Sequence, residues 1–110
     1  MTSDDIVYAT LSEVGIPGTR SAWQLGEAPP LPWFVYVRAN GGEVFADNDT
    51  FDPLPRYRAE LYIRENDPDL VLAFEDAVRK LGAFRHRESW LSEENCQMHS
   101  YTFTLTKKGA

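Results

Sequence analysis

Three side chains near the carboxyl end of the chain are of the types that bind zinc. His86, Cys96 and His99, together with a water molecule, would resemble the ligand set of a catalytic zinc site. Their segments read as the two strands of a hairpin, and side chains in a strand alternate between the two faces. Cys96 and His99 are three residues apart, so in a regular strand their side chains lie on opposite faces. Both reach one face only if a bulge lies between them. We therefore expect no metal site, with solvent-facing histidines and a small cysteine that fills the core.

The rest of the sequence offers no other catalytic constellation. No nucleophile stands in a recognisable motif beside a base, and Gly41 and Gly42 lack the surrounding pattern of a phosphate-binding loop. We expect no enzymatic activity, no cofactor and no small-molecule substrate. A small enzyme is the least favoured functional class.

The composition is that of a folded, acidic protein. With 110 residues, of which 43% are hydrophobic and 25% charged, the chain falls in the range of one globular domain, which we place at residues 1–110. Seventeen acidic and eleven basic residues give a net charge of -6, and the basic residues never form a run of four or five. Tight nucleic-acid binding through phosphate neutralisation is therefore disfavoured.

The sequence also bears on location. Cys96 is the single cysteine, so no intramolecular disulfide can form, which fits a reducing compartment. The first five residues lack the charged and apolar regions of a secretory signal, and no apolar stretch approaches the roughly 20 residues that cross a bilayer. We expect synthesis in the cytoplasm and no membrane partner.

Two helices are predicted. The first covers residues 3–14 after a cap at Thr2, and the second lies between the cap Asp67, with Pro68 at its first position, and a stop at Gly82. Both have apolar residues at helical spacing. The two stripes are Val7, Leu11 and Val14 in the first helix, and Leu70, Phe74, Ala77, Val78 and Leu81 in the second.

Alternating patterns predict the strands. They lie at residues 20–24, 33–39, 43–46, 56–64, 83–92 and 97–106. We place the aromatic side chains of Phe34, Tyr36 and Tyr62 on one sheet face, opposite Val35 and Leu61. The order α-β-β-β-α-β-β predicts an α+β fold, with a mostly antiparallel sheet of four to six strands and both helices packed on one face.

A stiff connector precedes the strand at residues 33–39. Pro29, Pro30 and Pro32, with Leu31 among them, fix an extended backbone and withhold three amide donors, so this segment should lie on the surface. The chain has fourteen aromatic residues, more than a small core needs. If both sheet faces are partly apolar, helices cover one and another copy of the chain is the economical cover for the other, with the long loops as the alternative.

Four segments carry a resemblance to a known family. They are residues 27–36 (EAPPLPWFVY), 45–48 (FADN), 60–62 (ELY) and the helix start at 66–68 (NDP). In this order and spacing, the chain from about residue 5 to residue 106 resembles the tail terminator, or tail-completion, proteins of long-tailed phages and prophages. Members of that family form a ring, typically of six subunits, which caps the tail tube and joins it to the neck.

The resemblance implies a structural virion protein without catalytic residues. Its implied partners are further copies of the chain, the major tail tube protein, the neck proteins and phage DNA that passes through the lumen without sequence-specific binding. Residues 49–55 (DTFDPLP) lack the lysine-containing segment that members often carry, so the contact made by this loop can differ. We expect an assembly interface formed by Pro29, Pro30, Leu31, Pro32, Phe45, Asp47, Asn48 and Phe51.

Two alternatives remain open at this point. Another head-tail neck component, such as a head-closure or connector protein, would also be a structural virion protein. A ferredoxin-like RNA-binding module would use sheet aromatics such as Tyr36 and Tyr62 to stack bases, although the acidic balance disfavours it.

Overall fold

The computed structural model describes residues 2–24, 26–39 and 55–106. Within them the chain forms two helices and five strands. In chain order these are α1 (Ser3–Ser12), β1 (Gly18–Arg20), β2 (Trp33–Arg38), β3 (Arg56–Ile63), α2 (Pro68–Leu81), β4 (Phe84–Leu91) and β5 (Cys96–Thr104). The predicted α+β class is confirmed.

The strands form one mostly antiparallel sheet in the spatial order β1-β2-β3-β5-β4. β1 pairs with β2 in parallel, and the other three pairings are antiparallel. β5, the last strand in the chain, therefore lies between β3 and β4. No helix in the described part of the chain is long and apolar enough to cross a membrane.

Local signals account for where both helices begin. The Thr2 hydroxyl accepts a hydrogen bond from the amide of Asp5 at 3.1 Å, and the Asp5 carboxylate accepts one from the amide of Thr2 at 3.0 Å. Before α2, the Asp67 carboxylate accepts from the amide of Leu70 at 3.2 Å, and Pro68 occupies the first turn. The predicted caps are confirmed.

The hydrophobic core lies between the two helices and one face of the sheet, which we call the helix side. Phe74 of α2 sits at its centre, with its ring 5.7 Å from that of Phe34 on β2 and 5.6 Å from that of Tyr101 on β5. The fully buried core side chains include Val7, Leu11, Phe34, Tyr57, Leu61, Phe74, Val78, Leu81, Tyr101 and Leu105.

The predicted position of the first strand needs correction. The short strand is Gly18–Arg20, which precedes the predicted residues 20–24. It ends because Ser21 adopts a φ of 67°, which turns the chain, while its amide still donates to the carbonyl of Tyr36 at 2.8 Å. The predicted strand at 43–46 falls outside the described residues.

The predicted sharing of faces was also wrong. Phe34 is paired with Leu61, and Trp33 is paired with Tyr62, so Phe34 and Tyr36 lie on the helix side while Tyr62 lies on the other. The sequence shows which residues of one strand share a face. It does not show the register between two strands, and a shift of one residue moves every side chain of the second strand to the other face.

Candidate interaction surface

The sheet face opposite the helices, which we call the open face, carries two concave surfaces. In the described part of the chain, both helices contribute their buried residues to the core on the helix side. On the basis of register, the open face presents Trp33, Val35, Arg58, Glu60, Tyr62, Arg85, Arg87, Ser89, Met98, Ser100 and Thr102. This half of the sheet is therefore the place to look for contacts with other molecules.

The first concave surface is an aromatic cleft formed by Trp23, Trp33 and Tyr62. The Trp33 ring lies 4.6 Å from that of Tyr62, and the Trp23 ring meets Trp33 edge-on at 5.9 Å. The cleft has a volume of about 350 Å³, and Glu60 lies in its wall. Large, stiff aromatic side chains gathered in a shallow cleft are typical of protein contact sites.

Polar atoms at this cleft fix the position of Tyr62. Its hydroxyl donates to the Glu60 carboxylate at 2.8 Å, and the other oxygen of Glu60 accepts from Arg58 at 3.1 Å. Burial, followed by the hydrogen bond to Glu60, raises the pKa of Tyr62 well above its ordinary value. The hydrogen bond to Glu60 therefore holds the Tyr62 ring against Trp33.

The proline connector leads into the aromatic cleft. It is continuous with Trp33, and Ala28 at its start lines the cleft. Pro30 is exposed, whereas Pro29, Leu31 and Pro32 are partly buried. Its role in assembly stays a prediction. The other predicted interface residues, Phe45, Asp47, Asn48 and Phe51, lie outside the described residues.

The second concave surface is an arginine groove at the other end of the open face. Its floor consists of the small hydroxyl side chains Ser100, Thr102 and Thr104 of β5. Its walls are Arg85 and Arg87 of β4 on one side and Arg56 of β3 on the other, and all three arginines are exposed. The groove has a volume of about 1130 Å³.

The arginine groove is basic although the chain as a whole is acidic. Among the described residues no Asp or Glu lines it, and the nearby Arg58 is paired with Glu60 at 3.1 Å. The full chain has a net charge of -6. Positive charge is therefore concentrated on the open face, and such a surface attracts carboxylates or phosphates.

The opposite side of the molecule presents acidic and apolar groups on α2. Asp69, Leu72, Ala73 and Asp76 are exposed and spaced by three or four residues, so they form one outer stripe of the helix. Leu72 is 59% exposed and is one of three large apolar side chains that are exposed in the described part of the chain. Asp76 forms an ion pair with Arg79 at 2.8 Å, and both side chains are exposed to solvent.

The two histidines meet on the helix side of the sheet. Nε2 of His86 lies 2.9 Å from Nδ1 of His99, and their nearly parallel rings meet edge to edge with 5.1 Å between centroids. His86 is exposed but His99 is buried, which corrects the expectation that both histidines face solvent. Burial lowers the pKa of His99.

Cys96 does not join this pair. It is paired with Leu91 in register and so lies on the open face, opposite His99, as parity predicts. Its thiol is free and buried, and burial raises its pKa. Among the residues that the structure describes, no three metal-binding side chains converge.

The tyrosine pair considered for RNA binding does not share a surface. Tyr36 is 6% exposed and lies on the helix side, whereas Tyr62 lies on the open face. The two rings therefore cannot form one stacking platform for bases.

Sequence reasoning missed the arginine groove. Its signal was present, because Arg85 and Arg87 stand two residues apart in a predicted strand and must share a face. Arg56 belongs with them only because β5 lies between β3 and β4, and that order does not follow from the sequence pattern.

Comparison of the chain with protein-family models, with curated proteins and with solved structures found no match.

Proposed function

We propose that this protein is a structural subunit of a phage virion, which assembles with copies of itself into a ring that caps the tail tube and joins it to the neck. The open face of the sheet carries the proposal. This face holds an aromatic cleft and an arginine groove, while the helix side already contains the hydrophobic core. A small domain with a second contact-rich face is suited to assembly.

The arrangement of surfaces favours a ring over a two-fold dimer. The open face and the outer stripe of α2 lie on opposite sides of the sheet and differ in charge and shape. Unlike surfaces that contact each other produce head-to-tail assemblies, which close into rings when the rotation per subunit permits. A ring of subunits that caps a tail tube needs this head-to-tail contact.

The charge of the chain is compatible with a lumen that DNA crosses. A net charge of -6 disfavours tight retention of a polyanion, and DNA must slide through a tail connector without sequence-specific binding. The proposal therefore assigns the protein to the virion and includes no substrate, cofactor or catalytic residue.

The mass of the protein in solution tests the proposal. We expect a ring-sized species by light scattering coupled to size exclusion, either at high protein concentration or only after purified tail tubes are added. A protein that stays monomeric and does not bind to tubes at about 1 mM, where even weak interfaces associate, would contradict it. A ring that binds isolated neck complexes and ignores tubes would point to another neck component.

Two tryptophan variants test whether the aromatic cleft belongs to the interface. Trp23→Ala removes one wall of the aromatic cleft and should weaken assembly. Trp90→Ala is the matched control, because Trp90 is 55% exposed and lies on the helix side of β4. Equal assembly by both variants, with folding verified by circular dichroism, would remove the aromatic cleft from the interface.

A further inference from the structure

We infer that the arginine groove of one subunit receives the outer stripe of α2 from a neighbouring copy of the same chain. The inference rests on the proposed function, since it names the contact that would repeat around the ring. The two surfaces are complementary in charge: one is walled by arginines, and the other carries two aspartates beside an exposed leucine. The two cations at the end of this stripe, Arg79 and Lys80, are paired with Asp76 and Glu13.

The groove is chemically suited to carboxylates. Guanidinium groups bind carboxylates with paired hydrogen bonds, and the hydroxyl groups of Ser100, Thr102 and Thr104 on the floor supply further donors. Thr102 pairs with Arg85 in register, and Thr104 pairs with Arg56. Standard strand spacings place the Cα atoms of Arg85 and Arg56 roughly 12 Å apart across the groove.

The α2 stripe has a matching spacing. Asp69 and Asp76 are seven residues apart on one helix face, a separation of about 10.5 Å along the axis. Leu72 lies between them and supplies an apolar anchor, while the small side chain of Ala73 permits close approach. An apolar centre with charged groups at its rim is the usual composition of a specific protein interface.

An existing ion pair does not block this contact. Asp76 is bound to Arg79, but both side chains are more than half exposed, so the pair contributes little stability and leaves Asp76 accessible. The groove arginines have no acidic neighbour among the residues that line the groove. Contact between copies would therefore place the two aspartates of one copy against the arginines of the next.

A second copy is favoured over a nucleic acid as the occupant. The full chain has a net charge of -6, which repels a polyanion at a distance, whereas the acidic stripe is present on every copy. The groove and the stripe lie on opposite sides of one molecule, so the contact is head-to-tail and leaves a free groove and a free stripe for the next subunits.

Charge reversal and its compensation test the inference. Arg85→Glu and Asp76→Arg should each raise the protein concentration at the midpoint of assembly about tenfold or more, because each variant places like charges together. A mixture of the two variants contains an interface in which the groove of an Arg85→Glu copy faces the stripe of an Asp76→Arg copy, so both charges are exchanged. A chain that carries both changes should have an assembly midpoint within about threefold of the wild-type concentration. Leu72→Ser should weaken assembly without altering charge.

The matched control is Arg64→Glu. Arg64 is exposed and follows β3, outside the groove, so its reversal changes the net charge by the same amount as Arg85→Glu and should leave the midpoint unchanged. Circular dichroism and thermal unfolding of each variant confirm that the fold is retained, which is expected because all these side chains are exposed.

Each outcome separates the inference from the proposed function. If the wild type assembles and the reversals behave like Arg64→Glu, the ring stands and the groove contact is wrong. If the wild type never assembles, with or without tail tubes, both are wrong. If a short DNA duplex binds the wild type at low salt and Arg85→Glu abolishes this binding, the groove is a nucleic-acid site and the inference is overturned.

Discussion

The rings of His86 and His99 lie edge to edge, with their planes only 5° apart and Nε2 of the first 2.9 Å from Nδ1 of the second. One ring nitrogen must donate and the other must accept, so the contact requires at least one neutral imidazole. The exposed His86 thereby covers the buried His99. We therefore expect this pair to make the stability of the domain sensitive to mild acid.

Stability should fall as the pH drops below 6.5, the ordinary pKa of histidine. Burial lowers the pKa of His99 in the folded chain, so the unfolded chain binds the proton more readily and gains population as the pH falls. Thermal unfolding followed at about pH 7.5 and about pH 5.5 measures this difference. His99→Leu should reduce it, while His86→Gln should keep most of it. An unchanged pH dependence in His99→Leu would assign the effect to other groups.

Tyr57→Phe should destabilise the protein by about 1 kcal/mol, the usual worth of one hydrogen bond. The Tyr57 hydroxyl donates to Asp4 of α1, and the same carboxylate is paired with Arg20 of β1 at 2.7 Å, so one acidic group joins three elements. Urea unfolding gives the change. Tyr8→Phe is the control, because Tyr8 is 45% exposed and should lose less than half as much.

Gly18→Ala should destabilise the protein by about 1–3 kcal/mol, the range for overpacking a core. A Cβ atom at this position would overlap the ring of the fully buried Phe34, which cannot move without disturbing Phe74. Gly15→Ala provides a comparison, because its loss of stability has a different physical cause. Its Cβ would meet nothing within 4 Å, but Gly15 has a φ of 93°, so its cost comes from the backbone alone. A smaller loss in Gly18→Ala than in Gly15→Ala would contradict this packing.

Phe74→Ala should lower the free energy of unfolding by about 3–5 kcal/mol, because it leaves a cavity between two aromatic rings. Phe34 and Tyr101 flank the removed ring at 5.7 and 5.6 Å. Leu72→Ala, two residues earlier on the same helix, removes an exposed side chain and should change stability by less than about 0.5 kcal/mol in the monomer. Similar losses in the two variants would place the core elsewhere.

The helices could be predicted because their signals are local. The caps Thr2 and Asp67 and the apolar stripe of α2 each lie within a few residues of the element they define, and the structure forms both helices from these signals. The alternation of β3 was equally readable, since Tyr57, Ala59, Leu61 and Ile63 are all buried on one face.

The sheet faces and the arginine groove depend on relations between distant segments. Tyr62 was placed with Phe34 because the pattern of one strand contains no information about the register of another, and the actual partner of Tyr62 is Trp33. The groove requires Arg56 and Arg85 to flank the same strand, although they are far apart in the chain. Such relations follow from topology and not from local spacing.

The position of β4 at the border of the sheet has a consequence for solubility. A border strand of eight residues offers a row of backbone groups to which a strand from another molecule could add, and repeated addition leads to fibres. The middle of this strand consists of Arg85, His86, Arg87 and Glu88. Charged side chains on both of its faces oppose pairing with the same strand of another copy. The strand that supplies one wall of the groove thus also protects the protein from aggregation.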